Sequence, residues 1–355
     1  DIDEGAFSYC TSLASVTIQN GVTSIGSSAF DGCSVLANIT IPNSITSIGD
    51  WAFSGCTSLT SVVIPSSVTD IDEGAFSYCT SLASVTIQNG VTSIGSSAFD
   101  GCSVLANITI PNSITSIGDW AFSECEKLTN VAIPDSVITI GGAAFALCKA
   151  LVSITIPDSV TSIGGGAFYG TAWLNAQMQG DWIEISNGVQ NVYVGSQTEV
   201  IVPEGIKAFD FFDSQVERVT IPKGVTNIGD YAFTGCNALT GVTIPEGVTN
   251  IGYYAFAGCD ALKDITMPNS LMSISAYALS QCDKLTDITV PSNVTSIGDH
   301  AFFYNPSLLS VTIPDSVTII GYAAFGSCDA LTIICTDGSY AWNYAVENGI
   351  AHKAA

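Results

Sequence analysis

Eleven cysteines share one phase of the chain. Cys10, Cys33, Cys56, Cys79, Cys102, Cys125, Cys148, Cys236, Cys259, Cys282 and Cys328 each stand three residues after a Phe or a Leu. A row of thiols can form disulfides, hold a metal or supply a nucleophile, and spacing separates these chemistries. Residues of one phase stack in register, which sets neighbouring β-carbons about 4.8 Å apart. A disulfide wants about 3.8 Å and a particular dihedral. No C-x-x-C pair and no Cys/His cluster is present, so metal chemistry has no framework and no cofactor is expected. The row reads as a structural ladder of small buried thiols, with inter-repeat disulfides as the alternative. Thr171 and Asn305 fill the same slot without sulfur, so a thiol is replaceable there. Cys335 is out of phase. It is expected on the outward side of the last strand, as the thiol most open to reaction.

Catalysis has little to stand on. The two histidines, His300 and His352, have no Ser or Cys motif beside them. There is no nucleophile elbow, phosphate-binding loop or zinc motif. Carboxylates recur as rows: Asp135, Asp158, Glu246 and Asp315 follow a proline, and Asp50, Asp119, Asp230 and Asp299 follow Ile-Gly. Repetition of this kind marks a solvated edge that keeps a chain soluble, and no loop has the dense spacing of a calcium site. The chain reads as a non-enzyme.

Binding has more. One row of hydroxyls comprises Thr17, Thr40, Thr86, Thr109, Thr155, Thr220, Thr243, Thr266, Thr289 and Thr312, with Val63 and Ala132 as exceptions. Two residues earlier stand small polar groups such as Ser15, Asn38 and Ser84. Further along this second row becomes Arg218, Gly241, Asp264, Asp287 and Ser310. Threonine suits a half-exposed strand and pairs with threonine across strands. The same array is also a flat hydroxyl and amide surface able to dock a protein or a glycan. Thr17, Thr40, Thr86, Thr109, Thr155, Arg218, Thr220, Thr243, Asp264, Thr266, Asp287, Thr289 and Thr312 are therefore the candidate binding residues.

These rows exist because the chain is one repeat read many times. Ala-Phe recurs every 23 residues from Phe7 to Phe168 and again from Phe233 to Phe325, with Leu279 in one copy and Phe209 as a distorted member. One copy reads LTSVVIPSSVTDIDEGAFSYCTS, from Leu59 to Ser81. Leu59, Val62 and Ile64 alternate as a strand. Pro65 cannot donate to a ladder and ends it. Val68 and Ile71 mark a second short extended stretch, which in most copies closes on Ile-Gly, where glycine permits a tight bend. Ala75, Phe76 and Cys79 are spaced for one turn of helix or 3-10. One such copy cannot bury its apolar face alone, whereas stacked copies can.

The pattern L-x-x-V-x-I with S-I-G-x-x-A-F-x-x-C resembles the BspA-type (Treponema-type) leucine-rich repeats of bacterial surface proteins. The resemblance implies a leucine-rich repeat solenoid, a β-rich member of the α/β horseshoe class. It would be a right-handed superhelix with a parallel sheet on the concave face and short turns or 3-10 segments on the convex side. Fourteen stacked copies would span roughly 65 Å. It further implies a cell-surface or secreted bacterial protein engaged in protein-protein interaction or adhesion to host or extracellular ligands. A carbohydrate-binding accessory module and a structural spacer displaying another domain are the alternatives. Aromatic platforms, which a carbohydrate module would need, are nearly missing from the Thr rows.

The expected plan is repeats over 1–168, an irregular insertion over 169–207, repeats over 208–335 and a helical cap over 336–355. The insertion holds WIEIS, Asn187-Gly188 and VQNVYVG, a hairpin signal near 181–194, after which TEVIVP rejoins the sheet. Its aromatics, Trp173, Trp182, Tyr193, Phe211 and Phe212, are expected to pack the junction. In the tail, SYAWNYAVEN reads as a helix stopped by Gly349. Asp1 falls inside a repeat with no leader before it, so the chain reads as a fragment or processed form. Residues Asp1 to Ser54 are identical to Asp70 to Ser123, a duplication of three repeats that favours reach and valency.

Composition narrows the partners. With 8 Lys+Arg against 32 Asp+Glu the net charge is -24, which disfavours nucleic acid and anionic membrane surfaces. No apolar run is long enough for a membrane-spanning helix. The expected ligand is a protein or glycan, and the expected state a monomer.

Overall fold

A computed structural model describes the chain except Met178, Gln179, Asn187, Lys207 and Asp213. Two compact units result, Asp1–Met178 and Gln179–Ala355. Both are parallel β-solenoids, about fourteen turns between them, with very little helix.

The first unit holds an unbroken ladder of seven two-residue strands, Ser24–Ile25, Ser47–Ile48, Asp70–Ile71, Ser93–Ile94, Ser116–Ile117, Thr139–Ile140 and Ser162–Ile163. Each isoleucine pairs with the isoleucine one repeat on, as Ile25 with Ile48. The strand of the L-x-x-V-x-I segment is less continuous here. Ser61–Ile64 pairs with Ser84–Ile87, and Asn130–Ala132 with Ser153–Thr155, while single bridges such as Ser15 to Asn38 mark the other copies. The stretch expected to be minor thus carries the longer ladder. In the second unit both ladders form. One runs through Asn227–Ile228, Asn250–Ile251, Ser273–Ile274, Ser296–Ile297 and Ile319–Ile320. The other runs through Glu199–Ile201, Arg218–Thr220, Gly241–Thr243 and Asp264–Thr266, then Asp287–Thr289, Ser310–Thr312 and Thr332–Cys335.

Between the ladders lies a column of rings. Phe7 through Phe168 stack at 5.2–5.9 Å with planes 5–9° apart, within the range of offset aromatic pairs. The turns carrying these rings are themselves bonded: Phe30 N–H donates to Ala52 O and Phe53 N–H to Ala75 O, both at 2.8 Å. The Pro that ends each strand closes a turn as well, as where Val68 N–H reaches Pro65 O.

Two details correct the expectations. The glycine of most Ile-Gly pairs also serves close packing: a β-carbon on Gly141 would sit 2.4 Å from Asp119 N, whereas one on Gly229 would meet nothing within 4 Å. And Phe211, not Phe209, holds the ring column. Phe211 lies 5.1 Å from Phe233 at 7°, whereas Phe209 meets Phe233 at 65°. Phe211 N–H also donates to Ala232 O, as a column member does.

The first unit closes on the short helix Ala172–Asn175, capped by Thr171, whose Oγ1 accepts from Leu174 N–H. The second opens on an antiparallel pair, Trp182–Ile185 with Gln190–Tyr193, and Glu199–Ile201 then joins the parallel ladder. Asn187 of the turn lies outside the described residues. Near the other end Ser339 caps the helix Tyr340–Glu347. A strand not anticipated, Ala351–Ala354, extends the ladder beside Thr332–Cys335. Tyr344 of the helix meets Phe325 edge-on at 6.2 Å, covering the last ring of the column. Among the described residues no helix is long and apolar enough to cross a membrane.

Candidate docking surface

Side chains alternate across a strand, so a buried Val between two polar residues turns both outward. Ser84–Ile87 shows the pattern, with Val85 and Ile87 buried and Ser84 and Thr86 exposed. Thr17, Thr40, Thr86, Thr109, Thr155, Thr220, Thr243, Thr266 and Thr289 are all exposed, and Thr312 is half-buried. In the second unit Ile201, Thr220, Thr243 and Thr266 stand in direct register, as do Thr289, Thr312 and Ile334.

The hydroxyls divide into two kinds. On the opposite ladder Thr46 Oγ1 donates to Thr23 O at 3.1 Å, and Thr92 and Thr115 each donate to the carbonyl one repeat back at 3.2 Å. Those hydroxyls are spent on the fold. The ten hydroxyls of the candidate row make no hydrogen bond to protein among the described residues, which leaves both donor and acceptor capacity to solvent or ligand. The neighbouring row is partly engaged. Arg218 Nε lies 4.0 Å from Glu199 Oε1, with both side chains more than 70% exposed, so the pair adds little. Asp287 Oδ1 accepts from Ser310 Oγ at 2.6 Å. Asp264 is exposed beside Gly241.

The cysteine ladder has a role beyond filling space. From Cys33 to Cys148, and at Cys236, Cys259, Cys282 and Cys328, each Sγ donates to the carbonyl of the column residue of the preceding repeat at 3.0–3.4 Å. No disulfide joins any of the twelve cysteines. Burial pushes the thiols of Cys56, Cys148 and Cys282 up to about 12, and those of Cys79, Cys125 and Cys259 well above the usual thiol range. Cys10 departs from the ladder's buried character and is exposed. Asn305 reproduces the bond: its Nδ2 donates to Leu279 O at 2.9 Å while its Oδ1 accepts from Cys282 N–H. Thr171 turns instead to Phe168 O at 2.8 Å.

Cys335 is not the outward, reactive thiol the pattern suggested. It is 1% exposed, because the last strand step is 22 residues, Ser310 to Thr332, which turns Cys335 inward beside buried Ile333; Tyr340–Glu347 packs on the same strand. Burial raises its thiol too.

The Asp row after Ile-Gly also does more than solvate an edge. Asp50, Asp119, Asp230 and Asp299 each use Oδ1 to accept the N–H one repeat on, from Glu73, Gly142, Tyr253 and Tyr322, at 2.6–3.1 Å. Trp182, Tyr193 and Phe211 form one contact group, with centroids 5.0–5.3 Å apart, and Trp173 packs on Phe168. His300 stacks on Tyr277 at 4.7 Å. Among the described residues no group of three or more His, Cys, Asp or Glu is placed to hold a metal.

The family model described as BspA type leucine rich repeat region matches residues 1–127, 73–192 and 204–332. No curated protein matches the chain. Among solved structures, a leucine-rich repeat protein from Bacteroides ovatus is 24% identical, covering 100% of this chain and 87% of its own, with a TM-score of 0.40. A leucine rich cell surface protein from Faecalibacterium prausnitzii is 28% identical over 93% of this chain and 89% of its own, TM-score 0.42. The pneumococcal vaccine antigen PcpA is 19% identical over 96% and 94%, TM-score 0.40.

Proposed function

The chain belongs to the BspA-type leucine-rich repeat family, and from that premise we propose that it is a non-enzymatic bacterial surface or secreted protein whose Thr-bearing strand face docks a protein ligand. The observation that carries this reading is the unspent row: Thr220, Thr243 and Thr266 lie in register, exposed, with no protein partner for their hydroxyls. A fold that needed those side chains only for strand propensity would do as well with valine, as Val63 does in one copy. Hydroxyls every 4.8 Å or so make a flat donor-acceptor grid, and repetition multiplies weak contacts into avidity. The net charge of -24 argues against nucleic acid. Adhesion to extracellular ligands is the role this family membership favours.

The test is a screen of immobilised extracellular matrix proteins and mucin glycans, run beside a variant carrying Thr220→Lys, Thr243→Lys and Thr266→Lys. Three long charges on the grid should abolish capture of a genuine ligand while circular dichroism stays unchanged. A ligand held equally by the variant would overturn the placement. Capture of mucin glycan alone would favour a carbohydrate module.

A further inference from the structure

The second unit carries another surface, built from aromatic rings in consecutive repeats, where the first unit has only Trp51 and Trp120 at the same position. Two residues before each column residue, Tyr231, Tyr254, Tyr277 and His300 form a stack of parallel rings, with centroids 5.4, 4.6 and 4.7 Å apart. Stacking hides the faces of these rings and leaves their edges. Tyr253 crosses those edges: it stands at 83–87° to Tyr231, Tyr254 and Tyr277, at 5.7, 4.4 and 5.9 Å. A ring perpendicular to three successive members of a stack and this close to them turns one face to their edges, and Tyr253 in that place is half-buried. Tyr322 meets His300 in the same manner, at 5.5 Å and 70°, and is 78% exposed.

Each of these two rings is joined to a carboxylate. Asp230 Oδ1 accepts from Tyr253 N–H and Asp299 Oδ1 from Tyr322 N–H, both at 2.7 Å. Both aspartates are exposed. In the first unit the residues whose N–H groups reach Asp50 and Asp119 are Glu73 and Gly142, neither of which carries a ring. Neither Asp230 nor Asp299 is claimed by a cation of the chain: the ion pairs among the described residues are Lys149–Glu126 and Arg218–Glu199.

We propose that the Asp230–Tyr253 and Asp299–Tyr322 pairs form a two-point docking surface for an extended basic segment of a partner protein, each pair receiving one Lys or Arg side chain. An aromatic face attracts a cation, and a guanidinium also stacks flat on it. The adjacent carboxylate adds charge and an acceptor. Complementarity favours a basic partner throughout, since the chain bears 32 acidic and 8 basic side chains. The pairs lie three turns apart, about 14 Å along the ladder, which an extended peptide spans in about four residues. This surface is separate from the Thr row and goes beyond the function proposed above.

The test is fluorescence anisotropy of the full chain with a labelled Gly/Ser peptide bearing two arginines four residues apart. The peptide should bind at low salt, should weaken steeply by about 0.5 M salt, and should bind more tightly than peptides with one arginine or with arginines eight residues apart. Tyr322→Ala and Asp299→Asn should each weaken binding about two- to fivefold. Asn keeps the oxygen that accepts Tyr322 N–H, and Tyr322 is exposed, so both variants should fold; circular dichroism checks this. The Thr220→Lys, Thr243→Lys, Thr266→Lys variant should not lose binding. The proposal is overturned if the peptide binds no better than its glutamine counterpart. It is equally overturned if Tyr322→Ala and Asp299→Asn leave affinity unchanged, which would mean general attraction to an acidic chain.

Discussion

Cys56 Sγ donates a hydrogen bond to the carbonyl oxygen of Phe30 at 3.3 Å, across the seam between one repeat and the one before it. Both groups are buried. Phe30 O already accepts Cys33 N–H at 3.1 Å; the thiol, a weak donor small enough to fit beside the ring column, fills its second acceptor site. Substitution should therefore follow donor capacity rather than hydrophobicity. Cys102→Ala removes one of the two donors to Phe76 O, leaving Cys79 N–H at 3.4 Å, and opens a small cavity, so it should cost about 1–3 kcal/mol in denaturant unfolding. Cys102→Ser keeps a donor and should cost less. The reverse order would mean that the thiol is only filler.

The same burial predicts alkaline sensitivity. The thiols of Cys56, Cys148 and Cys282 are raised from 9.0 to about 12 in the folded chain. A raised value means that the folded state holds the proton more tightly. Its contribution to stability is whole below about pH 9 and is lost as pH climbs toward 12. Between those limits each thiol removes about 1.4 kcal/mol per pH unit. The denaturant midpoint should fall between pH 9 and 11, more steeply than in a variant with all three cysteines changed to serine. Equal slopes would contradict the linkage.

Reactivity should single out one thiol. Cys10 is exposed and the other eleven are buried. Brief treatment of the native chain with a thiol reagent should modify Cys10, and peptide mapping should find Cys335 unlabelled until the chain is denatured. Labelling of Cys335 as fast as Cys10 would show that the terminal helix and strand do not cover it.

How far these features could be read from residue order differs from case to case. The period exposes every stacked contact, because in-register repeats place like on like; the Phe column and the phase of the eleven cysteines follow from it. What the period cannot show is a partner outside the row. The bond from Cys56 to Phe30 O lies between different positions of neighbouring repeats, so no alignment of cysteines reveals it. Phe211 is hidden in the sequence because the column step shortens from 23 residues to 22 there, and Ala208-Phe209 imitates the motif. Cys335 escapes the 23-residue phase because the last strand step is 22 residues, Ser310 to Thr332, so alternation turns it inward beside Ile333. The platform of Tyr253 and Tyr322 has a trace in the sequence: both occupy the position that is Asp in Asp230 and Asp299, and are read as variation until the ring angles are known.

Glycine placement gives a final test, because two explanations for it compete. Gly74 has φ +60°, and a β-carbon there would lie 2.4 Å from the Trp51 ring. Backbone alone does not demand glycine, since Ser97 takes φ 54° at the same position one repeat on. The ring is the constraint: Trp51 of the preceding repeat lies over Gly74. Gly74→Ala should thus destabilise by about 1–3 kcal/mol, more than left-handed strain alone would cost. Replacing the ring first should recover most of the difference. In a double-mutant cycle of Trp51→Ser with Gly74→Ala, the coupling should reach about 1 kcal/mol or more in denaturant unfolding. Additive effects would assign the glycine to backbone conformation and remove the ring from the account.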